Sequence, residues 1–562
     1  MATIVPFYPF GIAANALFNF DEIADIQDYK LTGPITVSIS DAFTRANYTQ
    51  YVFSSNIYTM ASSGSGNWTV TQVANIQTIL DTYSHFANLP FSKVVNYSGY
   101  NPAQVGNNSD INVSFISRPT LDFAGLASLA TNSFGYAGGE NDIVLNTSGF
   151  GGSNTTLAMT TWGGRVLMHE LGHSLGLSHP HSVYVNGKAV LTNAFSATVN
   201  MGFSKLGFVI RNAADMNKEY FTIMSYDEQT PTVGPQTFAQ TPMILDVLAL
   251  QEAYGLGVGS SGASNDVITI GAAAAVNSYR TYFDLGGVDT VNLSNYASGA
   301  YFNMGTSIVG ARQLVGVSMS IADHQLMTAG SAPQSLRWFY GDYENALGSA
   351  GNDLITGNAL ANVITGSGGN DTIDGGGGID RAIYSGAAAE YTITIASSSS
   401  TAMDKTANRD GTDTLTNVER LQFTDTMLAL DTGKDQTAGS GYMLYKAAFN
   451  RTPDASGLGY WINQMDLGMA YSSVAQNFVN STEFKTAFGG SNPTVNTLVT
   501  KLYNNVLART PDAGGLAFWQ NKLSNEGWTT ADVLGFFSTS GENVTNVTPL
   551  IANGITYQQF AG

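Results

Sequence analysis

From Gly348 to Ile383 the chain reads as four nonapeptides: GSAGNDLIT, GNALANVIT, GSGGNDTID and GGGGIDRAI. A nine-residue period constrains the fold more than any other feature here. Each unit is one small supersecondary piece that buries an apolar face only by stacking on its neighbours. Ile355, Ile364 and Ile373 recur at one place in the frame. A flexible linker would lack that recurrence. The segment therefore predicts a glycine-rich parallel β-helix.

The rest of the chain is too long for a single core. At 562 residues, two to four domains are expected. Charged residues make up only 12% and glycines number 61, a composition suited to extended structure and many turns. The net charge of −19 argues against nucleic acid as a partner and leaves carboxylates that divalent cations could neutralise. There is no cysteine, so no disulfide and no thiolate metal site. No apolar run is long enough for a transmembrane segment. The N-terminus is apolar, but its first basic residue is Lys30, which does not fit a secretory signal peptide.

Along the chain, residues 34–40 alternate like a strand, and Val73, Ile76, Leu80 and Tyr83 fall at helical spacing. Residues 110–117 and 141–147 read as further strands. This order predicts an α/β domain reaching about residue 255. A region of short strands follows from 256. From about 436, the motif NRTPDASGLGYW (450–461) returns as ARTPDAGGLAFW (508–519), a shift of 58 that also sets Phe478 against Phe536. This is a tandem helical module.

Four of the six histidines lie in MHELGHSLGLSHPHS, residues 168–182. On a helix, Leu167, Leu171 and Leu175 make one apolar stripe, and His169 and His173 lie one turn apart on another face. Gly176 stops the helix and lets the chain turn so that His179 returns toward the other two. Three neutral imidazoles can hold one zinc ion at about 2.0–2.1 Å each. Glu170 can reach a water at such an ion and act as general base, later giving the proton to the leaving amine. The full pattern H-E-x-x-H-x-x-G-x-x-H is far more specific than H-E-x-x-H alone, because it also sets the turn and the third ligand. His181 falls outside the pattern, and His85 and His324 read as ordinary surface or partly buried histidines.

This segment resembles the metzincin metallopeptidases, in particular the serralysin-like branch. TIMSYD (222–227) resembles the family's Met-turn. The resemblance implies Met224 beneath the histidines, and Tyr226 as an extra zinc ligand at rest that swings away to stabilise the oxyanion. Residues 139–147 resemble the family's edge strand above the cleft, and 241–255 the helix closing the protease domain. The nonapeptides resemble the RTX repeat G-G-x-G-x-D-x-U-x, in which turns hold calcium. That places calcium oxygens at Asp353, Asp371 and Asp380. Asn362 departs from the pattern, and a site there would be weak or absent.

The implied fold class is an α/β metzincin protease domain, then a parallel β-roll (RTX) domain, then a small all-α C-terminal domain. The boundaries are a segment 1–27 with a short or absent propeptide, 28–255, 256–435 and 436–562. The implied cofactors are one catalytic zinc and several structural calcium ions. Protein or peptide substrates are implied as partners, with type I secretion machinery exporting the chain from a Gram-negative cell without an N-terminal signal. The tail resembles a helical domain of unknown function on RTX-exported proteins and could reach a cell-surface partner. Arg451 and Arg509 in it could bind a carboxylate or glycan, but the preferred reading is that the Arg, Asp and Trp of each copy cap and pack the helices. A secreted zinc endopeptidase is the first reading. A non-catalytic surface-attachment protein using the protease fold as scaffold is the second. The presence of all five expected active-site residues weighs against the second.

Overall fold

The computed structural model describes residues 3–6, 29–32, 34–40, 51–53, 56–58, 68–91, 95–97, 111–116, 125–127, 141–146, 156–177, 183–185, 188–190, 218–225, 238–259, 263–271, 278–307, 314–396 and 398–560. Two compact units result. The first is Met1–Tyr296 with Ala300–Tyr343, and the second is Ala297–Gly299 with Glu344–Gly562.

In the first unit, helix α1 (Val70–Phe86) begins at a capping box: Thr69 and Gln72 satisfy each other's backbone N–H groups. Its buried face is Ile76, Ile79, Leu80, Tyr83 and Phe86. A five-stranded sheet runs in the order Val95–Tyr97, Val37–Ser40, Ile111–Ile116, Asn141–Asn146, Gly125–Ala127. The first four strands are parallel, and the last is antiparallel to its neighbour. Val37, Ile39, Ile111, Val113, Ile143 and Leu145 are buried, as expected of strands with a covered face. The expectation of an edge strand at 139–147 is corrected here. Asn141–Asn146 is paired on both sides, and the edge is the short Gly125–Ala127. Helices α2 (Trp162–Ser174) and α3 (Ile244–Tyr254) follow in the chain.

Later strands of the same unit, Ser278–Phe283, Leu336–Tyr340, Leu314–Ser320 and Ala300–Ser307, lie side by side in that order. The eight-residue α4 (Ile321–Thr328) links two of them. Trp338, fully buried, donates from its indole N–H to the Tyr220 carbonyl at 2.6 Å.

In the second unit the nonapeptides form three-residue strands on alternating sides. Asn345–Leu347, Val363–Thr365, Arg381–Ile383 and Arg420–Gln422 stack in parallel on one side. Leu354–Thr356, Thr372–Asp374 and Thr412–Thr416 do so on the other. The residues in register, Ile355, Ile373 and Leu415 on one side and Ala346, Ile364, Ala382 and Leu421 on the other, are all buried. They form the apolar stack that the nine-residue period requires.

Eight helices follow: α5 (Thr437–Phe449), α6 (Ala455–Asp466), α7 (Tyr471–Asn480), α8 (Thr482–Phe488), α9 (Val495–Leu507), α10 (Ala513–Asn525), α11 (Thr530–Ser538) and α12 (Gly541–Val547). Asp454 and Asp512 cap α6 and α10 by accepting from Gly457 and Gly515. Arg451 and Arg509 lie over the Tyr445 and Tyr503 rings at 5.2 and 5.0 Å. The repeated motif is thus a repeated packing unit. The register of its second half differs from the sequence shift of 58. Phe478 is buried at 3% exposure. Its counterpart by burial is Phe537 at 4%, while Phe536 stands 50% exposed. The extra residue lies in α10, which has 13 residues against 12 in α6. Finally Ile555–Tyr557 adds antiparallel to Met427–Ala429, so the last strand joins the sheet of the repeats.

Candidate metal centre

Thr161 caps α2 by accepting from the Gly164 N–H at 3.3 Å. The helix is buried nearly all round, including its polar residues Arg165, His169 and Glu170. Such burial is costly unless each polar group is engaged. His169 donates from Nδ1 to the Ile223 carbonyl at 2.8 Å. His173 does the same to the Leu177 carbonyl at 2.8 Å. A carbonyl only accepts, so each ring carries its proton on Nδ1 and its lone pair on Nε2. This is the tautomer that a metal-ligating histidine needs. The two rings are 4.8 Å apart and nearly perpendicular.

The helix ends in a Schellman motif. The Leu177 N–H donates to the Gly172 carbonyl and the Gly176 N–H to the His173 carbonyl, both at 2.9 Å. Gly176 has φ of 101°, a conformation open to glycine. The turn therefore also supplies the carbonyl that orients His173. Beneath the helix, Met224 is fully buried. A Cβ on Gly172 would sit 2.8 Å from its sulfur, so glycine lets the two elements approach.

The turn carrying Met224 is tied down from two sides. Asp246, in the first turn of α3, accepts from the Ile223 N–H at 2.8 Å, the Thr222 hydroxyl at 2.6 Å and the Met243 N–H at 2.8 Å. Burial pushes its carboxyl up to about 7 despite these donors. Arg165, one helical turn before His169, bonds to Glu219 at 3.1 Å and to the Ser225 carbonyl at 2.9 Å. Tyr83 donates to the Met168 carbonyl at 2.6 Å. None of Arg165, Glu219 and Asp246 stood out in sequence, and Tyr83 did so only for its helical spacing. The only local signal was a charged residue set i, i−4 from His169.

His169, Glu170 and His173 are thus brought together on α2 with Met224 below. His179, His181 and Tyr226 lie outside the described residues. Among the described residues, no group of three or more His, Asp or Glu side chains is arranged to hold a metal ion.

The repeat carboxylates form two ladders. In one, Asp371 accepts from the Asp353 N–H at 2.8 Å, and Asp413 from the Asp371 N–H at 3.0 Å. In the other, Asp380 accepts from the Asn362 N–H at 2.8 Å, and Glu419 from the Asp380 N–H at 2.8 Å. Asp413 and Glu419 extend the ladders past the last nonapeptide and were not singled out in sequence. The remaining Asp371 and Asp380 oxygens, both Oδ2, are buried without a hydrogen-bond partner. Burial, together with neighbouring carboxylates, pushes Asp371 up to about 8. The same causes push Asp380 and Asp413 to about 7. Buried oxygens without donors suit a hard cation. Asn362 differs: its amide donates to the Glu344 carbonyl and to Asn358, both at 3.1 Å.

Comparison with known proteins agrees in class. Residues 347–382 match the RTX calcium-binding nonapeptide repeat. Residues 441–488 and 475–547 match a domain of unknown function, DUF4214. Metalloprotease AprA of Pseudomonas entomophila is 27% identical over 40% of this chain and 42% of its own length. Serralysin of Proteus mirabilis is 25% identical over 50% and 53%. Serralysin B of Dickeya chrysanthemi is 24% identical over 58% and 62%. The chain thus spans about half the length of the curated relatives it matches. The chain is therefore a serralysin-like relative of the metallopeptidases that carries RTX calcium-binding nonapeptide repeats and, after them, a DUF4214 region.

Proposed function

We propose that the chain is a secreted, calcium-stabilised zinc endopeptidase that hydrolyses extracellular or surface proteins. The observation that carries this reading is the pair of imidazoles on α2, each with Nδ1 committed to a carbonyl, flanking the buried Glu170. His169, His173 and His179 would hold zinc, with Tyr226 as a further ligand. When bound, the ion would supply Lewis-acid polarisation of the substrate carbonyl and lower the pKa of water. Glu170 takes the proton of the attacking water as the C–O bond forms, then delivers it to the amine as the C–N bond breaks. The Tyr226 hydroxyl donates to the developing oxyanion.

The domain reading follows: a metzincin protease domain over 28–255, a calcium-binding β-roll over 256–435 and a helical tail over 436–562. Asp353, Asp371, Asp380 and, more weakly, Asn362 would bind calcium, joined by Asp413 and Glu419. Among the described residues, no helix is long and apolar enough to cross a membrane. Type I export and a cell-surface partner for the tail complete the proposal.

The test compares the full chain with Glu170→Ala in casein hydrolysis and zinc analysis. The wild type should hold about one zinc and lose activity reversibly to a chelator, and the variant should keep the metal and lose the activity. Undiminished cleavage by the variant removes Glu170 from the mechanism. A zinc-loaded preparation that holds no metal removes the enzyme reading altogether.

A further inference from the structure

The two helical copies separate what the fold demands from what it does not. Burial aligns α7 with α11: Val474 and Phe478 correspond to Val533 and Phe537, all buried. In the same register Met469, Ser473 and Asn477 correspond to Trp528, Asp532 and Phe536; Met469 and Trp528 pack partly buried against the helical core, and the other four are exposed. The fully buried face keeps its character while these positions change from Met-Ser-Asn to Trp-Asp-Phe, the aspartate serving the capping box with Thr529. The fold accepts asparagine at this place, yet the second copy puts a half-exposed phenylalanine there. Phe536 packs edge-on against the buried Trp519 at 5.1 Å, yet half of it stays exposed.

Trp528, Asp532 and Phe536 line an open cleft of about 520 Å³, together with Tyr471, Ser472 and Thr539 and several small residues. Its size is within the range of small-molecule sites. The Trp528 and Phe536 rings meet at 6.1 Å and 64°. Asp532 uses Oδ2 for both its bonds, to the Thr529 N–H and hydroxyl, which leaves Oδ1 as an acceptor. Ser472 and Thr539 add hydroxyls.

We propose that this cleft binds a neutral oligosaccharide. A pyranose presents an apolar C–H face and a rim of hydroxyls. The cleft presents aromatic faces and a few donors and acceptors beside them. A quaternary ammonium ligand is disfavoured because the Lys522 ammonium already stands 5.2 Å over the Trp528 ring. An anionic ligand is disfavoured by Asp532 and by a net charge of −19.

The test uses the full chain in calcium, with maltose, cellobiose, lactose, N,N′-diacetylchitobiose and hexaproline as probes. Saturation-transfer NMR reports binding, and tryptophan fluorescence gives the affinity. At least one disaccharide should bind. Its affinity should fall about tenfold or more in Trp528→Ala and in Phe536→Asn. The asparagine variant carries the residue type of the first copy, so its helical circular dichroism should match the parent. Absence of binding by every disaccharide overturns the proposal. So does affinity unchanged in both variants, or hexaproline bound in place of a sugar, which would assign the cleft to a peptide.

Discussion

The Nδ1 atom of His169 lies 2.8 Å from the carbonyl oxygen of Ile223. That bond joins the histidine helix to the turn bearing Met224 and orients the ring for metal ligation. His169→Gln removes a lone pair and this anchor together. Bound zinc should drop from about one per chain to none by elemental analysis, while calcium content is unchanged. Zinc retained at full occupancy would exclude His169 as a ligand.

Arg165 and Glu219 form a fully buried pair whose arginine also holds the Ser225 carbonyl. Arg165→Met leaves an uncompensated carboxylate inside the fold. Urea unfolding should show a loss of about 3–5 kcal/mol. The double variant Arg165→Met with Glu219→Gln should recover part of it.

Calcium and pH should be linked through the ladders. Asp371, Asp380 and Asp413 hold protons up to about 8, 7 and 7, against 3.8 for a free carboxyl. Their folded values are raised, so without calcium their contribution is fully present below about pH 4 and lost as pH rises through 7 to 8. Urea midpoints in chelator should fall across that window. Saturating calcium should abolish the fall, and calcium affinity should climb with pH as protons are displaced. A flat profile in chelator would refute the linkage.

Asn362 occupies a ladder position with an amide where the others have carboxylates. Asn362→Asp adds a negative oxygen and deletes the donor to Glu344 and Asn358. Calorimetry should show one additional or tighter calcium site, and the calcium-free form should be less stable than the parent by about 1 kcal/mol or more. An unchanged calcium titration would place Asn362 outside the ion sites.

Arg420 bonds to the buried Asp431 and, at 2.9 Å, to Asp466 at the end of α6. It therefore ties a strand of the repeat stack to the helical tail. Burial lifts the Asp431 carboxyl to about 6 in spite of this cation. Arg420→Met should cost about 3–5 kcal/mol and separate the unfolding of repeats and helices into two transitions. A single unshifted transition would show that the pair is dispensable.

Much of this was legible in the residues. The helix over 70–86, the inward Ile355, Ile364 and Ile373, and the caps at Asp454 and Asp512 all follow from local periodicity and short-range hydrogen bonding. The edge strand at 139–147 was misplaced because a strand carries no mark of how many neighbours it pairs with. A constant shift of 58 sets Phe536 against Phe478 because one additional residue in α10 is invisible to it, although burial registers it at once. Asp413 and Glu419 were missed because they lie 42 and 39 residues from the carboxylates they continue, outside the nine-residue frame.

Sequence alone determined that His169, Glu170 and His173 share one helical turn, and that carboxylates recur along a stacked coil. Both are consequences of backbone pitch acting over a few residues. Only the tertiary structure decided which carbonyl sets each imidazole and which buried oxygens lack donors. Ile223 is 54 residues from His169, and no local rule brings them together. Packing does so, because a buried ring nitrogen must find an acceptor and the turn above Asp246 supplies it.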